Sequence, residues 1–194
     1  MRALLLGPDR PAFIERLAAF GDEVNNFDGS LNASSGVLAG ADFIISYGYR
    51  YIIKGDLLDL FPRRVINLHI SLLPWNRGAD PNLWSFLEDT PKGVTVHFMD
   101  AGLDTGDVIA ARAVDYKPDD TLRSSYARLS ASIEDLFFEV WPVIREGRAV
   151  GAPQKAGGSY HNASDKAPYE RLLTAGWDTP VSGLIGMALK RDKR

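Results

Sequence analysis

The sequence contains no cysteine, which excludes disulfides, thiolate nucleophiles and thiolate-held metals. Histidine is scarce as well, three residues in 194, so a metal would have to be built from those imidazoles and carboxylates, and none is expected. No apolar stretch approaches the roughly 20 residues that span a bilayer, and the run Ala3 to Leu6 behind Met1-Arg2 is too short for a signal peptide. The reading is a cytoplasmic protein without membrane contact. Nor is there an excess of positive charge: 22 Lys and Arg against 25 Asp and Glu leave a net charge of −3, with no overall attraction to nucleic acid. A small molecule is the expected partner, and a homodimer is left open.

What is present suffices for a core. A hydrophobic content of 45% in 194 residues falls within the range of one domain, and no linker-like stretch or internal repeat divides it. Residues 1–194 are therefore expected to form one domain, with 148–194 as a C-terminal extension packed on it. Arg2 to Leu6 is an apolar run closed by Gly7-Pro8, as in a buried first strand, and Pro11 to Phe20 has helical spacing at Phe13, Leu17 and Phe20. Glu23 to Phe27 is a second strand, Ser34 to Ala39 a helical stretch, and Phe43 to Tyr47 a third strand ended by Gly48. A helical pattern over Ile52 to Leu60 stops at Pro62, and Arg64 to Ile70 follows as another buried strand. This alternation predicts an α/β fold, Rossmann-like and doubly wound, around a mostly parallel sheet.

Farther on, Pro81 to Glu88 is predicted helical, and Gly93 to Met99 and Val108 to Val114 are strands flanking a turn. Asp119-Asp120-Thr121 offers caps for a long helix in which Leu122, Tyr126, Leu129, Ile133, Phe137 and Val140 recur at three- and four-residue steps until Gly147. Tyr169 to Thr174 and Pro180 to Leu189 are also predicted helical.

Two places carry polar chemistry. Asn67 and His69 are two apart in a strand, so they stand on one side of it near its carboxyl end, where open parallel sheets gather ligands. They are either a paired site or strand-end residues bonded to backbone. Asp104 lies in Gly102-Leu103-Asp104-Thr105-Gly106, whose glycines permit unusual backbone angles and a close approach to a ligand. It either serves that ligand or caps its own loop.

The segment Val65 to Gly78, VINLHISLLPWNRG, followed by Gly93 to Ala110, GVTVHFMDAGLDTGDVIA, resembles the signature of the folate-dependent formyltransferases. It combines Asn-x-His-x-Ser-Leu-Leu-Pro, Gly-Val-Thr-x-His and an Asp seven residues after that second His. The resemblance implies 10-formyltetrahydrofolate as formyl donor and Asn67, His69 and Asp104 as the catalytic set. Asn67 and His69 would stabilise the charge growing on the formyl oxygen. Asp104 would accept the amine proton and orient His69, which passes that proton to the departing nitrogen. It further implies a folate site around Tyr51, Ile53, Met99, Asp100 and Ala101, acceptor contacts from Ser71, Arg77 and Asn82, and His97 holding the Asp104 loop. For Ile53 and Met99 a plain core role, and for His97 a core His bonded to backbone, stay open.

The acceptor implied is a small-molecule amine. Methionyl-tRNA formyltransferases carry an additional C-terminal domain and basic surface, and glycinamide-ribonucleotide formyltransferases a phosphate loop where this chain has Gly7-Pro8-Asp9-Arg10. Trp75 to Trp84 looks instead like enzymes that formylate nucleotide-linked amino sugars. A formyltetrahydrofolate hydrolase and a catalytically silent folate- or nucleotide-binding module are the rival readings. Tyr160 and His161 are expected to end a loop rather than close over an acceptor.

Overall fold

The computed structural model describes residues 1–189; residues 190–194, the end of the expected extension, lie outside them. The apolar runs become β1 (Arg2–Leu6), β3 (Phe43–Ser46) and β4 (Val65–His69), nearly all buried, as strands covered on both faces must be. With β2 (Glu23–Phe27), β6 (Gly93–Phe98) and β7 (Val108–Ala113) they form a six-stranded sheet in the order β2-β1-β3-β4-β6-β7. The first four strands run parallel; at one side β6 runs antiparallel to β4, and β7 antiparallel to β6. The sheet is thus mostly parallel, as the alternation of strands and helices predicts.

Successive residues of a strand face opposite sides, and the two sides bury different partners. Leu5, Ile45, Ile66 and Leu68 join Phe13 and Leu17 of α1 (Pro11–Ala18) and Leu129, Ile133, Phe137 and Trp141 of α4 (Leu122–Arg145). Leu4, Leu6, Ile44 and Val65 instead pack with Ile53, Phe61 and Leu57 of α2 (Gly55–Leu60). The four-residue steps of α4 explain how 24 residues present one apolar stripe. Its start is a capping box in which the amide of Ser124 donates to Thr121 Oγ1 and the amide of Thr121 to Ser124 Oγ. A third cluster joins Leu83, Trp84, Phe86 and Leu87 of α3 (Pro81–Leu87) to Leu122, Val181 and Leu184, so the tail packs on both helices.

Several boundaries differ from those the sequence predicts. Ser34 to Ala39 holds only a 3-10 turn, Gly36–Leu38, because Ser35 and Ala39 on either side are extended. The helix predicted from Ile52 begins at Gly55, since Ile53 is drawn into the core and Lys54 is extended. The tail forms 3-10 turns over Ala163–Leu172, Gly176–Asp178 and Val181–Gly183 rather than α-helices, and the first of them contains Pro168 and buries no residue along its length. Tyr160 and His161, expected to end a loop, form β8 (Tyr160–His161) in a small parallel ladder with β5 (Arg77–Gly78).

Asp22 joins the chain's start to the end of α4. Its fully covered carboxylate accepts from Trp141 Nε1 at 2.8 Å and Arg145 at 2.7 Å, and lies 3.3 Å from the terminal amine. Asp22→Ala is expected to cost about 3 kcal/mol or more, because it strands buried donors. Urea unfolding checks this, and a loss below about 1 kcal/mol, the size of an exposed pair, would contradict it.

Candidate active site

On β4, Ile66 and Leu68 face the α4 core, so Asn67 and His69 face the other way, on the side of Val65. In register across the sheet, Asn67 meets His97 and His69 meets Thr95 on β6. Asn67, His69, Thr95 and His97 therefore form a polar patch on an otherwise apolar sheet face. His69 and His97 are buried there, 6% and 1% exposed.

Asp104 reaches this patch by an indirect route. Because β6 is antiparallel to β4, its exit lies beside the start of β4, where the Met99 amide donates to the Val65 carbonyl at 2.9 Å. The loop then folds back over the face of β4 until the Asp104 carboxylate meets both strands. Oδ1 accepts from Asn67 Nδ2 at 3.0 Å, and Oδ2 accepts from the Gly78 amide at 2.8 Å. His69 Nδ1 stands 3.6 Å from Oδ2, and His97 Nε2 3.6 Å from Oδ1. The left-handed angle belongs to Asp104 itself, at φ 53, rather than to the flanking glycines. Gly106 serves the close approach instead: a Cβ there would lie 1.9 Å from the Phe98 carbonyl oxygen.

Backbone contacts fix both imidazoles. His69 Nε2–H donates to the buried Asn76 carbonyl at 3.0 Å, and His97 Nδ1–H to the Phe98 carbonyl at 2.8 Å. His69 Nδ1 is left facing the carboxylate, and His97 Nε2 can accept from Asn67 Nδ2 at 3.3 Å. Burial lowers the His69 pKa, with Asp104 opposing and His97 adding to the depression. For Asp104, burial pushes upward, but the neighbouring His69 and His97 and the Gly78 amide outweigh it and hold the carboxyl well below the usual range. At neutral pH the arrangement is a carboxylate beside a neutral imidazole, a base with a proton carrier.

The remaining predicted residues are more dispersed. Ser71 Oγ donates to the Trp75 carbonyl at 2.7 Å and fixes its own loop. Arg77 points to Gln154 Oε1, at 3.1 Å from Nε and 2.9 Å from Nη2. Asn82 is buried between α3 and α4, donating to the Leu122 carbonyl at 3.0 Å and accepting from Ser125 at 2.9 Å. Ile53 and Met99 meet in the apolar cluster under β1, β3 and β4. Tyr51 and Ala101 are exposed on separate loops, and Asp100 accepts from the Gly102 amide and Thr105 Oγ1. Asn76, Gly78 and Gln154 were not singled out by sequence, since two act through backbone and the third is distant in the chain. Among the described residues no cluster fit for a metal occurs, and no helix is long and apolar enough to cross a membrane.

A cavity of about 650 Å³ has Ile70, the residue after His69, in its lining. Gly48 and Ile70, just past the ends of β3 and β4, lie on one side; Asp80 and Asn82 at the start of α3, with Tyr126 and Trp177, lie on the other. Polar groups thus lie on the sheet face, and there is space at the carboxyl ends of the parallel strands.

The family profile described as formyl transferase matches residues 25–140. The chain belongs to the formyl transferase family. It is 40% identical over 130 residues to methionyl-tRNA formyltransferase of Anaeromyxobacter sp. (strain K), an overlap of 66% of this chain and 41% of that protein. The chain therefore spans about two fifths of the length of the curated relatives it matches. Among solved structures it is similar to the formyltransferase PseJ from Anoxybacillus kamchatkensis, in complex with UDP-4,6-dideoxy-4-formamido-L-AltNAc and tetrahydrofolate. That match has 57% identity and a TM-score of 0.95 over 97% of this chain and 100% of that one. A 4-N formyltransferase from Francisella tularensis, 21% identical with a TM-score of 0.74 over 84% of this chain and 77% of that one, shares the fold.

Asp104→Asn removes the charge that supports protonation of His69. The His69 titration midpoint, read from its imidazole resonances, is expected to move further down, and an upward move would contradict the assignment. The unfolded chain binds a proton near pH 6.5 that folded His69 takes up only at lower pH, so this residue's contribution is present above about pH 6.5 and is lost as pH falls through the folded value.

Proposed function

We propose that this protein transfers the formyl group of 10-formyltetrahydrofolate to the primary amine of a nucleotide-linked amino sugar. The observation that carries the reading is the convergence of Asn67, His69 and Asp104 beside a cavity whose wall starts at Ile70, one residue beyond His69. The 57% identity to PseJ, whose complex contains a UDP-linked formamido sugar and tetrahydrofolate, supports both the donor and the acceptor class. The 40% identity to a methionyl-tRNA formyltransferase supports formyl transfer and favours a tRNA acceptor less.

The donor supplies a formyl carbon bound to nitrogen, open to attack by an amine. Asn67 Nδ2 carries two N–H groups, one toward Asp104 and one toward His97, and a developing oxyanion would take one of them. Asp104 is held ionised and can accept the proton that the attacking nitrogen must lose. His69 Nδ1, 3.6 Å from the carboxylate, can carry that proton to the departing nitrogen, while the Asn76 carbonyl holds its other N–H. For the donor, Tyr51, Ile52 and Leu103 leave large apolar surface exposed on the loops after β3 and β6, at 40%, 66% and 42%, which fits a flat aromatic molecule. For the acceptor, the cavity brings Arg50 and Lys166 together with Trp177, which meets Tyr126 edge to face at 5.3 Å. Cations and an aromatic face suit a diphosphate and a base.

Incubation with 10-formyltetrahydrofolate and a UDP-linked 4-amino sugar is expected to yield the formamido sugar by mass spectrometry. Formate release without formylated sugar would reject transfer in favour of hydrolysis. In the same assay Asp104→Asn should lower kcat by about a hundredfold or more, with the donor KM within about threefold. Trp177→Ala should instead raise the acceptor KM and leave the donor KM unchanged. An unchanged acceptor KM would remove the cavity from the acceptor's path.

A further inference from the structure

We propose that Gln154 is a positioning residue for this transfer, a side-chain clamp that sets the Asp104 carboxylate against Asn67 and His69. The inference rests on the reading that Asp104 takes the amine proton. Gln154 Nε2 donates to the Asp104 carbonyl at 2.7 Å and to the Gly106 carbonyl at 3.0 Å. Its Oε1 accepts from Arg77 Nε at 3.1 Å and Nη2 at 2.9 Å. Both hydrogens and both lone pairs of the carboxamide are thus engaged. A flipped amide would turn oxygen toward two carbonyls and an NH2 toward a guanidinium, so only one orientation is stable.

The clamp closes a ring around the reacting carboxylate. Gly78, the residue after Arg77, donates its amide to Asp104 Oδ2 at 2.8 Å. Asp104 is therefore gripped at its carbonyl by Gln154 and at its carboxylate by the strand that carries the partner of Gln154. Both anchors are themselves tied down. Ala152 and Val108 exchange amide–carbonyl bonds at 2.8 and 2.9 Å, and β5 is laddered to β8.

The loop needs such a restraint. Asp104 holds a left-handed backbone that disfavours a side chain, and Ala101, Gly102 and Leu103 before it are exposed. Without Gln154 the loop can relax toward ordinary angles and carry the carboxylate away from His69. Misplacement on the scale of an ångström is enough to cost about a hundredfold in rate.

The test uses two variants of the full chain. Gln154→Met keeps the length and removes all four bonds, whereas Gln154→Glu keeps a partner for Arg77 but turns an acceptor toward the two carbonyls. In both, kcat is expected to fall about tenfold to a hundredfold, with KM for donor and acceptor within about threefold, measured per folded molecule. A second reading needs no substrate. In Gln154→Met the His69 titration midpoint should move down, in the direction of Asp104→Asn and by less, because the carboxylate that supports protonation has moved off. The other groups on that side, His97 and, beyond the Asn76 carbonyl, Glu88 and His161, are unchanged. A kcat within twofold of the parent in both variants overturns the proposal, as does a rise in KM that accounts for the lost rate, or an unmoved His69 midpoint. If the parent protein formylates no amine while the His69 shift is seen, the function is rejected and the clamp stands.

Discussion

The Asp104 carboxylate is the tie on which the site depends. Asn67 on β4, the Gly78 amide on β5 and the His97 ring on β6 all converge on it, and its backbone carbonyl is held by the C-terminal segment. A buried charge is tolerated only where hydrogen bonds replace the water it has lost. Here each replacement comes from a different part of the chain. Satisfying this one anion therefore registers β4, β5 and β6, and the same registration brings a carboxylate, an imidazole and an amide donor to one point.

The sheet makes the arrangement possible by being different on its two sides. Toward α1 and α4 the strands β1, β3, β4 and β6 offer apolar side chains, and the core there is continuous. On the other side the apolar surface gives way along β4 from Val65 to Asn67 and His69, opposite His97 and Thr95. The α4 face supplies the rigidity, so the polar patch need not stabilise the fold. The tail has a comparable double part: Val181 and Leu184 join the cluster of α3, while Gln154 and β8 brace the loop and strand that meet Asp104.

Family membership and geometry speak to different levels of the chemistry. The match over residues 25–140 covers the strands and the loop that carry Asn67, His69 and Asp104. It stops before Gln154, β8 and Trp177, which brace the loop and wall the cavity. One fold serves different functions through differently built sites.

Much of the fold was legible because it rests on local periodicity. Apolar runs located β1, β3 and β4 to within a residue or two of their ends, and four-residue steps located α4. The pairing of Asn67 with His69 also follows from the two-residue repeat of a strand. By contrast, the 3-10 turns of the tail, the β5–β8 ladder and the bonds of Arg77 to Gln154 and of Asn82 to Leu122 and Ser125 were not legible, since none depends on a repeat. Arg77 binds Gln154, and Asn82 joins two helices and also lines the cavity. By itself the sequence determined that Asn67 and His69 share one face of β4. Only the tertiary structure decided that the loop after β6 returns across that face, and that a glutamine 50 residues farther on holds it there. Such contacts are made by backbone groups and by segments distant in the chain, and nothing in the letters near them records either.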